Sequence, residues 1–265
     1  MNCGFIGVGN LAGSVIKGML GKRLVSPGQV LIYEIDPKKR LELESGLGVK
    51  ACESYSEVID GSDICILAVK PHILQTVLPQ IRICLEKKSV PLVSVAAGKS
   101  IAEIETMLGI KTPVIRVMPN VNAAVGESMS AYCANAAATQ RQIDFAVEIF
   151  SAVGKVVSLD ESMFGVFSAI AGASPAFAFL FIDSIARAAH KAGMNRGQAV
   201  MIAAQAVLGS AKNILESGEH PWELIDKVTS PGGTTVEGVY ALQQKCFEAS
   251  VISAVDAVIE KDKKL

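Results

Sequence analysis

A parallel α/β domain followed by an all-helical domain is the fold class that the sequence predicts. Three observations carry this. Short apolar runs alternate with helical patterns through the first part of the chain. Beyond about Asp160 the strand signal disappears, and Ala and Leu become frequent while β-branched residues no longer cluster. A glycine-rich turn, Gly7-Val8-Gly9-Asn10-Leu11-Ala12, links the first apolar run to a helical one.

The elements follow in order. Strands are expected at residues 2–7, 30–34, 64–69, 91–95 and 114–118, with helices at 37–45, 72–86 and 101–108 between them. A strand near 128–133, a helix at 141–153 and a short strand near 155–157 extend the sheet. Helices are then expected at 163–192, 196–217, 221–228, 234–244 and 247–261. Gly193 and Gly218 sit at plausible helix ends, and Asn195 is a candidate cap. The division is residues 1–159 for the α/β domain and 160–265 for the helical one.

At the first turn, Gly7 permits the tight bend, Gly9 lets a pyrophosphate reach the backbone, and Ala12 lets helix and strand pack closely. The second strand ends in Glu34, about twenty residues after the turn, where a ribose-binding carboxylate belongs. Strand, turn, helix, strand and acid in that order make a Rossmann-like dinucleotide site. A carboxylate at Glu34, with Asp36 close behind, accepts from a ribose diol and repels a 2′-phosphate, so the reading leans to NADH over NADPH. Lys38, Lys39 and Arg40 could offset that repulsion, but at a helix start near Pro37 they are expected to point to solvent.

A second candidate site is Val228-Thr229-Ser230-Pro231-Gly232-Gly233-Thr234-Thr235, between two helical segments. Hydroxyls, a proline and two glycines gather where a helix begins. Unpaired N–H groups and the positive dipole end there suit a carboxylate or phosphate. One N-cap needs one hydroxyl, so the density favours a small-anion site over an ordinary capped loop.

Composition narrows the classes. Apolar residues make up 50% and charged residues 19%, which supplies a sizeable core and argues against disorder. A net charge of −1 argues against a nucleic-acid binder. Six scattered cysteines without a CxxC pair read as buried free thiols of a reducing cytoplasm. No metal site is expected from them or from His72, His190 and His220. Met1 leads directly into a strand, so no signal peptide is expected. The uncharged run 162–182 is long enough to span a bilayer. Its Gly165, Gly172, Ser168, Ser174 and Pro175 favour instead a helix buried in a helical domain or dimer.

With these residues in view, the chain resembles pyrroline-5-carboxylate reductases along essentially its full length. The resemblance rests on Phe5-Ile6-Gly7-Val8-Gly9-Asn10-Leu11, Ala68-Val69-Lys70-Pro71, Val95-Ala96-Ala97-Gly98 and Arg116-Val117-Met118-Pro119-Asn120. Above all it rests on Gly218-Glu219-His220-Pro221 followed by Thr229-Ser230-Pro231-Gly232-Gly233-Thr234-Thr235. The resemblance implies reduction of 1-pyrroline-5-carboxylate to L-proline by NAD(P)H. It implies that Gly7, Gly9, Asn10 and Leu11 cradle the pyrophosphate. Ala68, Val69, Lys70 and Pro71 would lie along the cofactor at the end of the fourth strand, and Ala96, Ala97 and Asn120 would border the nicotinamide. Ser230, Gly233, Thr234 and Thr235 would hold the substrate, with Thr235 hydrogen-bonded to the ring nitrogen as the catalytic candidate; Glu161 is also implied in binding. Two departures stand out: Val121-Asn122 where the family often has Thr-Pro, and Ala173 where it often has Ser, Ser174 remaining.

The chemistry of the residues agrees. A protonated cyclic imine is already electrophilic, so positioning is the main task and no strong acid is required. Lys70 reads as electrostatic or structural. Two other classes stay open: a related imino- or hydroxy-acid dehydrogenase, for which Lys191 and Lys212 lack a matching motif, and a non-catalytic dinucleotide-binding regulator, which would be expected to lose Ser230 or Thr235. Small residues and helices apolar on several faces predict a homodimer or higher homo-oligomer built from the helical domain.

Overall fold

The computed structural model describes residues 1–264. The chain forms two compact units, Met1–Gly172 with the chain end from Asp262, and Ala173–Lys261. This division falls later than 159/160. The reason is local: Phe164, Phe167 and Ala171 bury themselves with Ala131, a residue of the sheet.

The first unit is built on β1 (Cys3–Ile6), β2 (Val30–Tyr33), β3 (Lys50–Ala51), β4 (Ile64–Leu67), β5 (Leu92–Ser94), β6 (Val114–Met118), β7 (Ser128–Ala134) and β8 (Gly154–Ser158). They form one eight-stranded sheet in the order β3-β2-β1-β4-β5-β6-β7-β8. The helices of this unit are α1 (Asn10–Gly21), α2 (Pro37–Leu47), α3 (Tyr55–Gly61), α4 (Leu74–Lys87), α5 (Ile101–Leu108) and α6 (Gln140–Ser151), followed by the short α7 (Phe164–Phe167).

The apolar strand runs divide residue by residue between the two faces of the sheet. Cys3, Phe5, Val30, Ile32, Ile64, Ile66, Val93, Ile115 and Val117 meet α1 and α6 on one face. Ile6, Leu31, Cys65, Leu67, Leu92 and Val114 meet α3, α4 and α5 on the other. Successive side chains point to opposite faces, so a strand covered on both sides must be apolar throughout.

The sheet is not wholly parallel. β6 and β7 pair antiparallel, with Val117 opposite Tyr132. The connection is residues 119–127, which holds only a 3-10 turn, Val121–Val125. That is too short for a crossover to a parallel neighbour. β7 and β8 are joined through α6 and pair parallel. Two elements had no counterpart in the sequence reading, β3 and α3, both too short to display a period.

The second unit is helical: α8 (Ser174–Lys191), α9 (Arg196–Ser217), α10 (Pro221–Val228), α11 (Thr234–Gln244) and α12 (Phe247–Asp262). Asn195 accepts from the N–H groups of Gly197 and Gln198 and so caps α9, while Gly218 ends it at φ 68°. The helical run Glu161–Lys191 is π-type over Ser168–Ala173. It is long and apolar enough to cross a membrane, yet only 22% of its most apolar window is buried in the single chain. Burial on all sides is therefore not achieved by this chain alone.

Candidate functional site

The first turn has the shape its glycines allow. Gly7 adopts φ +83°, and a Cβ there would come 2.8 Å from Val69 Cγ1 and 2.9 Å from the Ala68 carbonyl oxygen. Only a glycine fits between β1 and the end of β4. Gly9 is the N-cap of α1, makes no side-chain cap and has open space where a Cβ would lie. The α1 N–H groups therefore face an approach that a pyrophosphate can use. Asn10 opens the helix, whereas Leu11 packs against the core.

Beside the turn lies a cavity of about 320 Å³, lined among others by Gly7, Gly9, Tyr33, Glu34, Lys39 and Val69. Ala68 and Lys70 line it too. Glu34 does two things there. Its Oε2 accepts from the Val8 N–H at 2.8 Å, which ties the end of β2 to the glycine turn. The same oxygen faces Lys39 Nζ at 3.5 Å. Tyr33 and Tyr55, their rings tilted at 59° with centroids 4.5 Å apart, give the cavity an aromatic wall. An open glycine turn, an acid at the second strand end and an apolar cavity between them fit an adenine dinucleotide.

The expectation that the three cations after Pro37 point to solvent is corrected here. Lys38 is exposed, but Lys39 lines the cavity. Arg40 is buried, pairs with Glu53 Oε2 at 2.6 Å and lies over the Tyr33 ring at 5.7 Å. Asp36 accepts from the Lys38 N–H and caps α2, so it is an ending device for the loop.

Pro71 begins a short 3-10 turn, Pro71–Ile73, that leads from β4 into α4. Ala96 is buried and Ala97 exposed just after β5. Asn120 is 8% exposed, and both polar atoms of its side chain have partners. Its Nδ2 donates to the Ala171 carbonyl at 2.9 Å, and its Oδ1 accepts from the Asn122 N–H at 3.1 Å. Its amide therefore holds the π-type turn and the 3-10 turn, a supporting duty that the sequence did not reveal.

Glu161 is likewise committed. Its Oε1 accepts from Arg116 Nη1 at 2.9 Å and from the Ile101 N–H at the start of α5 at 2.8 Å. The Arg116 guanidinium also lies 4.4 Å from the centre of the Phe164 ring. The geometry makes Glu161 an anchor between β6 and α5.

In the helical unit, α10 ends where Thr229 Oγ1 donates to the Ile225 carbonyl at 2.9 Å. The Gly233 N–H then donates to the Ser230 carbonyl at 3.0 Å, closing the turn Ser230-Pro231-Gly232-Gly233. Pro231 at its second position and Gly232 at φ +69° at its third are the demands of a type II turn. Gly233 caps α11 without any side-chain hydrogen bond. A Cβ on Gly233 would come 2.6 Å from Ser230 Oγ, so that hydroxyl lies directly over the helix start. Thr234 and Thr235 are exposed in the first turn. The first N–H groups of α11 and the hydroxyls beside them are donors of the kind that suits a small carboxylate.

The chain is 42% identical over 262 residues to the pyrroline-5-carboxylate reductase of Escherichia coli K12, covering 99% of this chain and 97% of that one. The chain belongs to the pyrroline-5-carboxylate reductase family. The family's dimerisation model matches residues 161–265, and a model described as NADP oxidoreductase, coenzyme F420-dependent, matches residues 2–98. A solved pyrroline-5-carboxylate reductase from Coxiella burnetii superposes with a TM-score of 0.94 at 28% identity, covering 99% of this chain and 97% of that one. The Plasmodium falciparum family member, solved with NADP bound, gives a TM-score of 0.88 at 29% identity, with 100% and 97% covered.

Proposed function

We infer that the protein is an NAD(P)H-dependent oxidoreductase that reduces 1-pyrroline-5-carboxylate to L-proline, the last step of proline biosynthesis. The observation that carries this is the end-to-end match at 42% identity to the pyrroline-5-carboxylate reductase of Escherichia coli. The two structured sites supply the chemistry it requires.

Gly7, Gly9 and the first turn of α1 would hold the pyrophosphate, with Glu34 on the ribose and Ala68, Val69, Lys70 and Pro71 along the cofactor. Ala96, Ala97 and Asn120 are assigned to the nicotinamide side by family resemblance, Asn120 through the turn it supports. The bound dihydronicotinamide supplies a hydride to the imine carbon. Ser230, Gly233, Thr234 and the start of α11 hold the carboxylate, and Thr235 orients the ring nitrogen. That nitrogen takes the C=N electron pair and keeps the proton acquired in water, so the protein needs no strong acid. Orientation is then the main contribution of the chain.

Glu34 favours a free ribose diol, so NADH is proposed as the preferred cofactor. A homodimer of the helical region 160–265, beside a dinucleotide-binding region 1–159, and a cytoplasmic location complete the reading. The test is oxidation of NADH and NADPH by the purified protein with pyrroline-5-carboxylate, with proline measured as product. Absence of proline would reject the activity. A much higher kcat/KM with NADPH than with NADH would reject the preference alone.

A further inference from the structure

Three consecutive cations follow the second strand, and the structure separates them. Arg40 is spent on Glu53 and Tyr33. Lys38 is exposed and outside the cavity. Lys39 alone of the three lines the cavity, its ammonium facing the Glu34 carboxylate at 3.5 Å.

That contact is long for a charged hydrogen bond, and the Lys39 side chain is 41% exposed. It is a loose pair that a stronger anion can replace. Glu34, by contrast, is held: its side chain is 13% exposed and accepts from the Val8 N–H at 2.8 Å. One partner is anchored to the glycine turn while the other sits, partly exposed, on the flexible stem of a lysine.

We propose that Lys39 admits a 2′-phosphate at this site by leaving Glu34 to pair with the phosphate, so that the Glu34–Lys39 pair serves both forms of the dinucleotide. With an unphosphorylated ribose, Lys39 stays on Glu34 and the carboxylate accepts from the diol. With a 2′-phosphate, Lys39 swings outward and offsets the repulsion from Glu34. This rests on the dinucleotide-site reading above. It makes the preference for NADH one of degree, because the repelling acid carries its own movable counter-ion.

Calorimetric binding of ADP-ribose and 2′-phospho-ADP-ribose tests this without turnover. The wild-type protein should bind both. Lys39→Ala should weaken 2′-phospho-ADP-ribose by about tenfold or more and leave ADP-ribose within about twofold, as expected for one charge-assisted contact. Lys39→Arg should retain both, and Lys38→Ala, which removes the same charge outside the cavity, should change neither. Equal weakening of both probes by Lys39→Ala, or no weakening of either, would overturn the inference. Binding of ADP-ribose alone by the wild type would overturn it while leaving the dinucleotide site intact. Binding of neither probe would overturn both.

Discussion

At Thr235, hydroxyl chemistry and helix geometry coincide. The residue stands in the first turn of α11, whose N-cap is a glycine without a side-chain bond. If its hydroxyl orients the imine nitrogen, Thr235→Ala lowers kcat by about ten- to a hundredfold, roughly 1.5–3 kcal/mol. Thr235→Ser should keep most activity. A purely structural threonine would instead change melting temperature with near wild-type kcat/KM. Ser230, whose Oγ overhangs the helix start, is expected to bind ground and transition states alike. Ser230→Ala should therefore raise KM with little change in kcat, which steady-state kinetics reads directly.

Among the elements, α5 offers a measurable pH signature. Its capping box is complete: Ser100 Oγ accepts from the Glu103 N–H, and the Glu103 carboxylate accepts from the Ser100 N–H at 2.8 Å. That backbone hydrogen bond, assisted by Lys99, holds the Glu103 carboxyl down at about 2, from an ordinary 4.5. A depressed carboxyl stabilises the fold fully above the unfolded value and loses that contribution as pH falls through the folded one. Glu103→Gln should therefore lower the melting temperature at pH 7 and converge on wild type between pH 4.5 and 2. A constant difference across that range would remove the capping charge from the account. The carboxyl is largely exposed, so the effect is modest.

For the whole molecule, the helical unit is the telling part. Phe179 is 60% exposed, Leu180 68% and Ile252 62%. An apolar groove formed by Phe177, Leu180, Phe181, Leu242, Phe247 and Val251 lies open within the unit. Apolar surface on this scale belongs against another chain. Sedimentation should give a dimer or larger assembly, and Leu180→Asp should shift it to monomer with loss of activity. A fully active wild-type monomer at assay concentration would reject the proposal.

Period and punctuation made most of the elements legible in the sequence. The spacing placed α5, α9, α10 and α11 at the bounds observed, and the glycine turn before α1, the acid after β2 and the helix start at Thr234 were all readable. Each depends on local properties: backbone freedom at Gly7 and Gly232, apolar period, and hydroxyls at a helix start. What the tertiary structure decided is pairing. Nothing local says that Lys39 turns toward Glu34 while Arg40 turns to Glu53, that Asn120 reaches Ala171, or that Glu161 closes on Arg116. These partners are far apart in sequence or compete among like neighbours. A charge or amide takes whichever partner packing brings within reach, and only the folded chain determines which partner that is.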